Sequence, residues 1–116
     1  MSTRTPSPAV QAAINAAKHR GEASDALNRV RVFVAEYARV LGNPEDRRAM
    51  FYAAEHWVAR AHEAAHAAEA QAKPYERLMD PFESNGHRSV RPVWQAAEQA
   101  RRYAELAAEA FKLAQA

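Results

Sequence analysis

His62, Glu63 and His66 stand within the stretch AHEAAHAAEA at the spacing H-E-x-x-H. On a helix this spacing puts two imidazoles one turn apart, where both can bind zinc, and sets a glutamate between them as a general base. Metal-assisted hydrolysis needs more than that pair. It requires a third protein ligand on a later element and an edge that holds a substrate beside the activated water. After His66 the chain reads AAEAQAKP, with no third histidine at a zincin spacing, and no strand is predicted to supply the edge. Glu63 and His66 also satisfy E-x-x-H, the unit of di-metal carboxylate bundles. Those sites need two copies of the motif and two further glutamates facing the interior, and only one copy occurs. At 100° per residue, His62 and His66 fall on the flank of their helix, about 100° and 140° from its apolar direction. A His62, His66 and Glu69 metal set is therefore not expected, and neither is a cofactor.

Other chemistry is excluded more simply. There are no cysteines, so disulfides, thiolate metal sites and a cysteine nucleophile are absent. A phosphate-cradling glycine loop, a dinucleotide fingerprint and a nucleophile triad are missing too. The expectation is a protein that is not an enzyme.

The elements that carry these residues are helical. Of 116 residues, 29 are alanine and only 18 are Leu, Ile, Val or Phe, while glycine is scarce at three. So little large aliphatic content signals disorder only when net charge is high, and here it is +2. Alanine has the best intrinsic helix propensity, so the composition points to one all-α domain built as a helical bundle. Residues 1–6 form a tail. Ser7 and Pro8 cap a short helix over 8–19, Gly21 stops it, and Ser24 with Asp25 restarts a helix over 24–41. Its seam is Leu27, Val30, Val34, Tyr37 and Leu41. In LGNPED, Gly42 is expected to end that helix in the left-handed region, while Asn43 caps the next and Pro44 begins it. The helix over 44–72 then outruns its neighbour by several turns. Residues 74–90, with their prolines and Asn-Gly, form the main loop, with one helical turn around Tyr75 to Met79, and a last helix spans 90–115.

The helical faces are informative. On the 44–72 helix, Met50, Ala54, Trp57, Val58, Ala61, Ala64, Ala65 and Ala68 share the core face, with Trp57 as its largest anchor. On the last helix, Val93, Ala97, Ala100, Ala104, Ala107, Phe111 and Ala114 form one seam. Tyr103, Leu106, Ala110 and Leu113 form a second, which is either internal packing or an interface. Tyr52 and His56 point away from the core among Arg48, Ala59 and Arg60, a composition suited to contact with a partner. Phe82, His87, Arg88 and Arg91 cluster around HRSVRP, the densest basic stretch.

Elsewhere Lys and Arg alternate with acids, as in NPEDRR and EQARRYAE, despite a sequence pI near 9.2. A nucleic-acid-binding helical module using Arg88, Arg91, Arg47 and Arg48 is thus the alternative reading, and a metal-binding bundle the second. The first reading is a non-catalytic interaction protein that binds, and occludes or inhibits, a macromolecular partner, in the manner of accessory or mobile-element proteins. A protein partner is expected through Tyr52, His56, Phe82, His87, Arg88, Arg91, Leu106 and Leu113, and self-association into a homodimer stays open. No secretory h-region and no apolar run long enough to span a membrane is present, so a cytoplasmic location is expected.

Overall fold

The computed structural model describes residues 7–40, 42–79 and 84–115, and of 78, 79 and 84–89 it describes the backbone alone. Three helices carry the fold: α1 (Pro8–Arg39), α2 (Pro44–Ala72) and α3 (Ser84–Gln115), with a 3-10 segment, Lys73–Met79, after α2. The described residues contain no strand. None of their helices is long and apolar enough to cross a membrane.

Two starts form as their residues dictate. The Ser7 hydroxyl accepts from the Val10 amide at 3.3 Å, with Pro8 opening α1. Asn43 Oδ1 accepts from the Glu45 and Asp46 amides at 3.1 and 3.2 Å, with Pro44 opening α2 and two acids at its positive end.

Three boundaries differ from expectation. The helices expected over 8–19 and 24–41 are one continuous α1. A glycine inside a helix costs about 1 kcal/mol, and continuity outweighs it, because Ala16 and Ala23 on either side are fully buried in the same seam as Ala26, Leu27 and Val30. The His19 and Glu22 side chains, 2.9 Å apart, span the supposed break. With α1 at 32 residues and α2 at 29, no overhang remains. Gly42 does not adopt a left-handed conformation. Val40 closes α1 instead, its amide donating to the Glu36 carbonyl at 3.0 Å, and the Asn43 amide reaches the Val40 carbonyl at 3.3 Å. The last helix starts at Ser84 rather than at 90, so 84–89 of the expected loop are helical and Pro92 lies more than two turns inside the helix. Pro92 is exposed, while Val90 and Val93 on either side are buried at 1% and 0% exposure. Keeping helical phase through the proline is what seats both valines.

Cross-helix contacts give the topology. Asn15 meets Gln71, Arg29 lies over Trp57, and Tyr37 touches Phe51, so α1 and α2 run antiparallel along their length. Arg101 meets Glu69 and Phe111 meets Phe51, which sets α3 antiparallel to α2. Arg20 Nη1 donates to Gln99 Oε1 at 2.9 Å between the parallel pair α1 and α3. The result is an up-down-up three-helix bundle.

Its core is built from methyl groups. Of the 19 buried apolar residues among those described, 15 are alanine, and the rest are Leu27, Val30, Val90 and Val93. The expected alanine faces of α2 and α3 are the buried ones. Trp57, expected as the main anchor, is only partly buried on the flank, with the Arg29 guanidinium 4.6 Å from its ring centroid. Facing alanines let helices approach near the lower end of the usual ~8–10 Å range, which leaves no room for an indole between them.

Candidate functional site

The H-E-x-x-H residues all lie on the outer surface of α2. His62, Glu63 and His66 are exposed. Glu63 Oε2 accepts from Arg60 Nη1 at 3.3 Å, His66 Nδ1 stands 3.9 Å from Glu69 Oε2, and Glu69 Oε1 faces Arg101 Nη1 of α3 at 3.9 Å. Both carboxylates therefore answer to neighbouring arginines. No group of three or more metal-ligating side chains occurs among the described residues, and no polar or charged residue among them is buried.

A different concentration of chemistry lies at the α1–α2 turn. Tyr37 from α1, Phe51 from α2 and Phe111 from α3 meet there, with ring centroids 6.3 Å apart for Tyr37 and Phe51 and 5.0 Å apart for Phe51 and Phe111. Tyr52 leans on Phe51 edge to face at 5.9 Å. The Arg47 guanidinium covers the Tyr37 ring at 4.4 Å, a cation–π contact. Tyr37, Pro44, Arg47, Arg48, Phe51 and Tyr52 together line a cleft of about 280 Å³.

This end inverts the usual relation between side-chain size and burial. From residue 31 to residue 53, and from residue 108 to residue 115, no described residue is fully buried. Yet these stretches hold Val32, Phe33, Tyr37, Phe51, Tyr52, Phe111 and Leu113. Tyr52 is 59% exposed, Val32 58% and Leu113 75%. Elsewhere the core alanines are 0–7% exposed, although Val10 and Ile14 on α1 are 49% and 53% exposed and Trp57 and Trp94 are only partly buried.

The expected contact residues are divided by the fold. Tyr52 and Leu113 come to the aromatic end, on α2 and α3 respectively. His56 is exposed one turn further along α2, its ring 5.4 Å from that of Trp57. Leu106 is partly buried against the core together with Tyr103, Ala110 and Phe111, so the second seam of α3 is half occupied within the chain and opens outward only at Leu113. Arg91 is exposed near the opposite end, where Trp94 Nε1 donates to the Tyr75 carbonyl at 3.4 Å. Phe82 and Leu41 lie outside the described residues, as do the side chains of His87 and Arg88. From Arg48 to the end of α2 is more than about 30 Å at 1.5 Å per residue, so Arg47 and Arg48 do not share a surface with Arg91.

Tyr37, Phe51 and Phe111 were each legible as helical residues, but not as one cluster. The available signal was that Tyr37, Phe51 with Tyr52, and Phe111 fall toward the same end of the three helices once LGNP is taken as a hairpin turn. No protein family, curated protein or solved structure matches the chain.

Proposed function

We propose that the chain is a non-catalytic interaction module that binds a macromolecular protein partner with its aromatic end, at the turn between α1 and α2, and so occludes the partner's surface. The observation that carries this reading is how open the aromatic end is: Tyr37, Phe51 and Phe111 are only partly buried, Tyr52 and Leu113 are largely exposed, and no described residue of 31–53 or 108–115 is buried. A partly open aromatic cluster with an exposed tyrosine beside arginine has the composition of contact hot spots, and apolar patches on monomers are otherwise small. The two arginines that border this patch, Arg47 and Arg48, are compatible with the same use.

The test is comparative. Wild-type protein and Tyr52→Asp, both checked for equal helicity by circular dichroism, are used to capture partners from a nuclease-treated lysate of the source organism. A protein retained by the wild type in fixed ratio and lost with Tyr52→Asp supports the reading. Retention of the same protein by both, or recovery of nucleic acid alone when nuclease is omitted, refutes it.

A further inference from the structure

The cleft at the start of α2 has an electrostatic character of its own. Its six lining residues include two arginines and no acid. Neither Arg47 nor Arg48 forms an ion pair within the described residues, as is also true of Arg29, Arg31 and Arg91, but Arg47 and Arg48 share one cleft. Arg47 Nε is buried and has no hydrogen-bond partner, the single such side-chain atom among the described residues. A buried donor left unmade is costly, about 1–3 kcal/mol and more for a charged group, so an atom of this kind marks a place where an acceptor belongs. The amides at the start of α2 are not the attraction, because Asn43 already occupies those of Glu45 and Asp46.

We infer that the Arg47–Arg48 cleft receives a carboxylate side chain, flanked by an apolar residue, from an extended segment of the protein partner. The Arg47 guanidinium, centred 4.4 Å from the Tyr37 ring centroid, leaves its Nη groups to donate charge-assisted bonds to a carboxylate. The cleft of about 280 Å³ has room for one or two side chains, taking ~30 Å³ per water as the scale. Phe51 and Tyr52 supply the apolar wall against which the neighbouring residue packs. Charge distribution selects a single carboxylate over a polyanion. Glu45 and Asp46 precede the two arginines in the same turn, exposed and without an ion-pair partner among the described residues, so the sign of the surface reverses within a few ångströms. A nucleic-acid backbone would meet both signs, and a lone carboxylate meets only the arginines.

This inference rests on the aromatic end being a binding surface, and its test separates the two. In the full chain, the Arg47 Nε–Hε signal is followed by nitrogen-15 NMR during titration with N-acetyl-Asp-Phe-amide. N-acetyl-Asn-Phe-amide, inorganic phosphate and an oligothymidine serve as comparisons. The expected result is a saturable shift with the Asp peptide, about tenfold or more weaker with the Asn peptide, as loss of a charge-assisted bond implies. Phosphate and oligothymidine should compete no better than the Asn peptide. Arg48→Gln should weaken the Asp-peptide response several-fold while the backbone signals of 54–72 stay in place. No shift, equal shifts with Asp and Asn peptides, or a stronger response to phosphate or oligothymidine would overturn the inference. So would a shift on raising protein concentration alone, with a doubling of mass, since a second copy would then be the occupant. If Tyr52→Asp abolishes partner capture while the Asp peptide leaves Arg47 unmoved, the surface survives and the carboxylate chemistry does not.

Discussion

The two ends of this bundle solve the same packing problem with opposite materials. Toward the Asn15–Gln71 end, from Ala12 to Val30 on α1, Ala54 to Ala72 on α2 and Val90 to Ala107 on α3, the helices meet through methyl groups that are almost entirely excluded from water. Around the α1–α2 turn they meet through Tyr37, Phe51 and Phe111, whose rings touch yet remain partly open. The alanine part gains its stability from close approach and many small contacts, each worth only ~0.1–0.2 kcal/mol. The aromatic part retains apolar surface that has not been removed from water, and such surface is what a partner can still bury. A fold of this size can thus separate its duties along its length.

That contrast is open to being broken. The largest effect is expected where helices are closest: Ala100→Leu, at a residue with no exposure, should destabilise the bundle by about 1–3 kcal/mol through overpacking. An unchanged urea midpoint would mean that the seam is loose and the contrast unfounded. Phe51→Ala comes next, at about 1–2 kcal/mol, below the ~3–5 kcal/mol of a fully buried phenylalanine, because its ring already meets solvent. A loss at the upper value would make the aromatic end core rather than surface. The smallest effect has the opposite sign. Gly21 is exposed, and a Cβ there would meet nothing within 4 Å, so Gly21→Ala should stabilise by about 0.5–1 kcal/mol. A lower thermal midpoint for this variant would show that α1 bends or breaks at Gly21.

The alanine faces were legible because helical periodicity survives even when the side chains are minimal: Ala61, Ala64, Ala65 and Ala68 keep the 3-4 spacing and are the buried residues of α2. The Asn43–Pro44 start was legible because capping is local chemistry. Gly21 misled for the same reason: it is a local breaker with a cost of about 1 kcal/mol, and it sits between residues whose burial depends on the helix continuing. Composition along one helix does not disclose a burial decided by two others. The cleft at the start of α2 was harder still. Arg47 and Tyr37 belong to different helices, and the unpartnered Nε emerges only when the ring of one lies under the guanidinium of the other. The H-E-x-x-H spacing was the conspicuous feature and the fold leaves it on the outside, where Arg60 and Arg101 engage the carboxylates of Glu63 and Glu69.

A core of alanines is also a smooth one. Where large side chains interlock, moving a helix along its axis by one turn forces knobs out of their holes, but a row of methyls offers nearly the same relief at each turn. Shape alone therefore does little to fix how far α1, α2 and α3 are advanced past one another in the middle of the bundle. That register is pinned from outside the seam, by Asn15 with Gln71, Arg20 with Gln99 and Trp94 with the Tyr75 carbonyl along one part of the molecule, and by the tilted, touching rings of Phe51 and Phe111 at the other. The helices behave like rods on a common rail with a latch at either end. Anything that grips the aromatic latch takes hold of the alignment of the whole bundle.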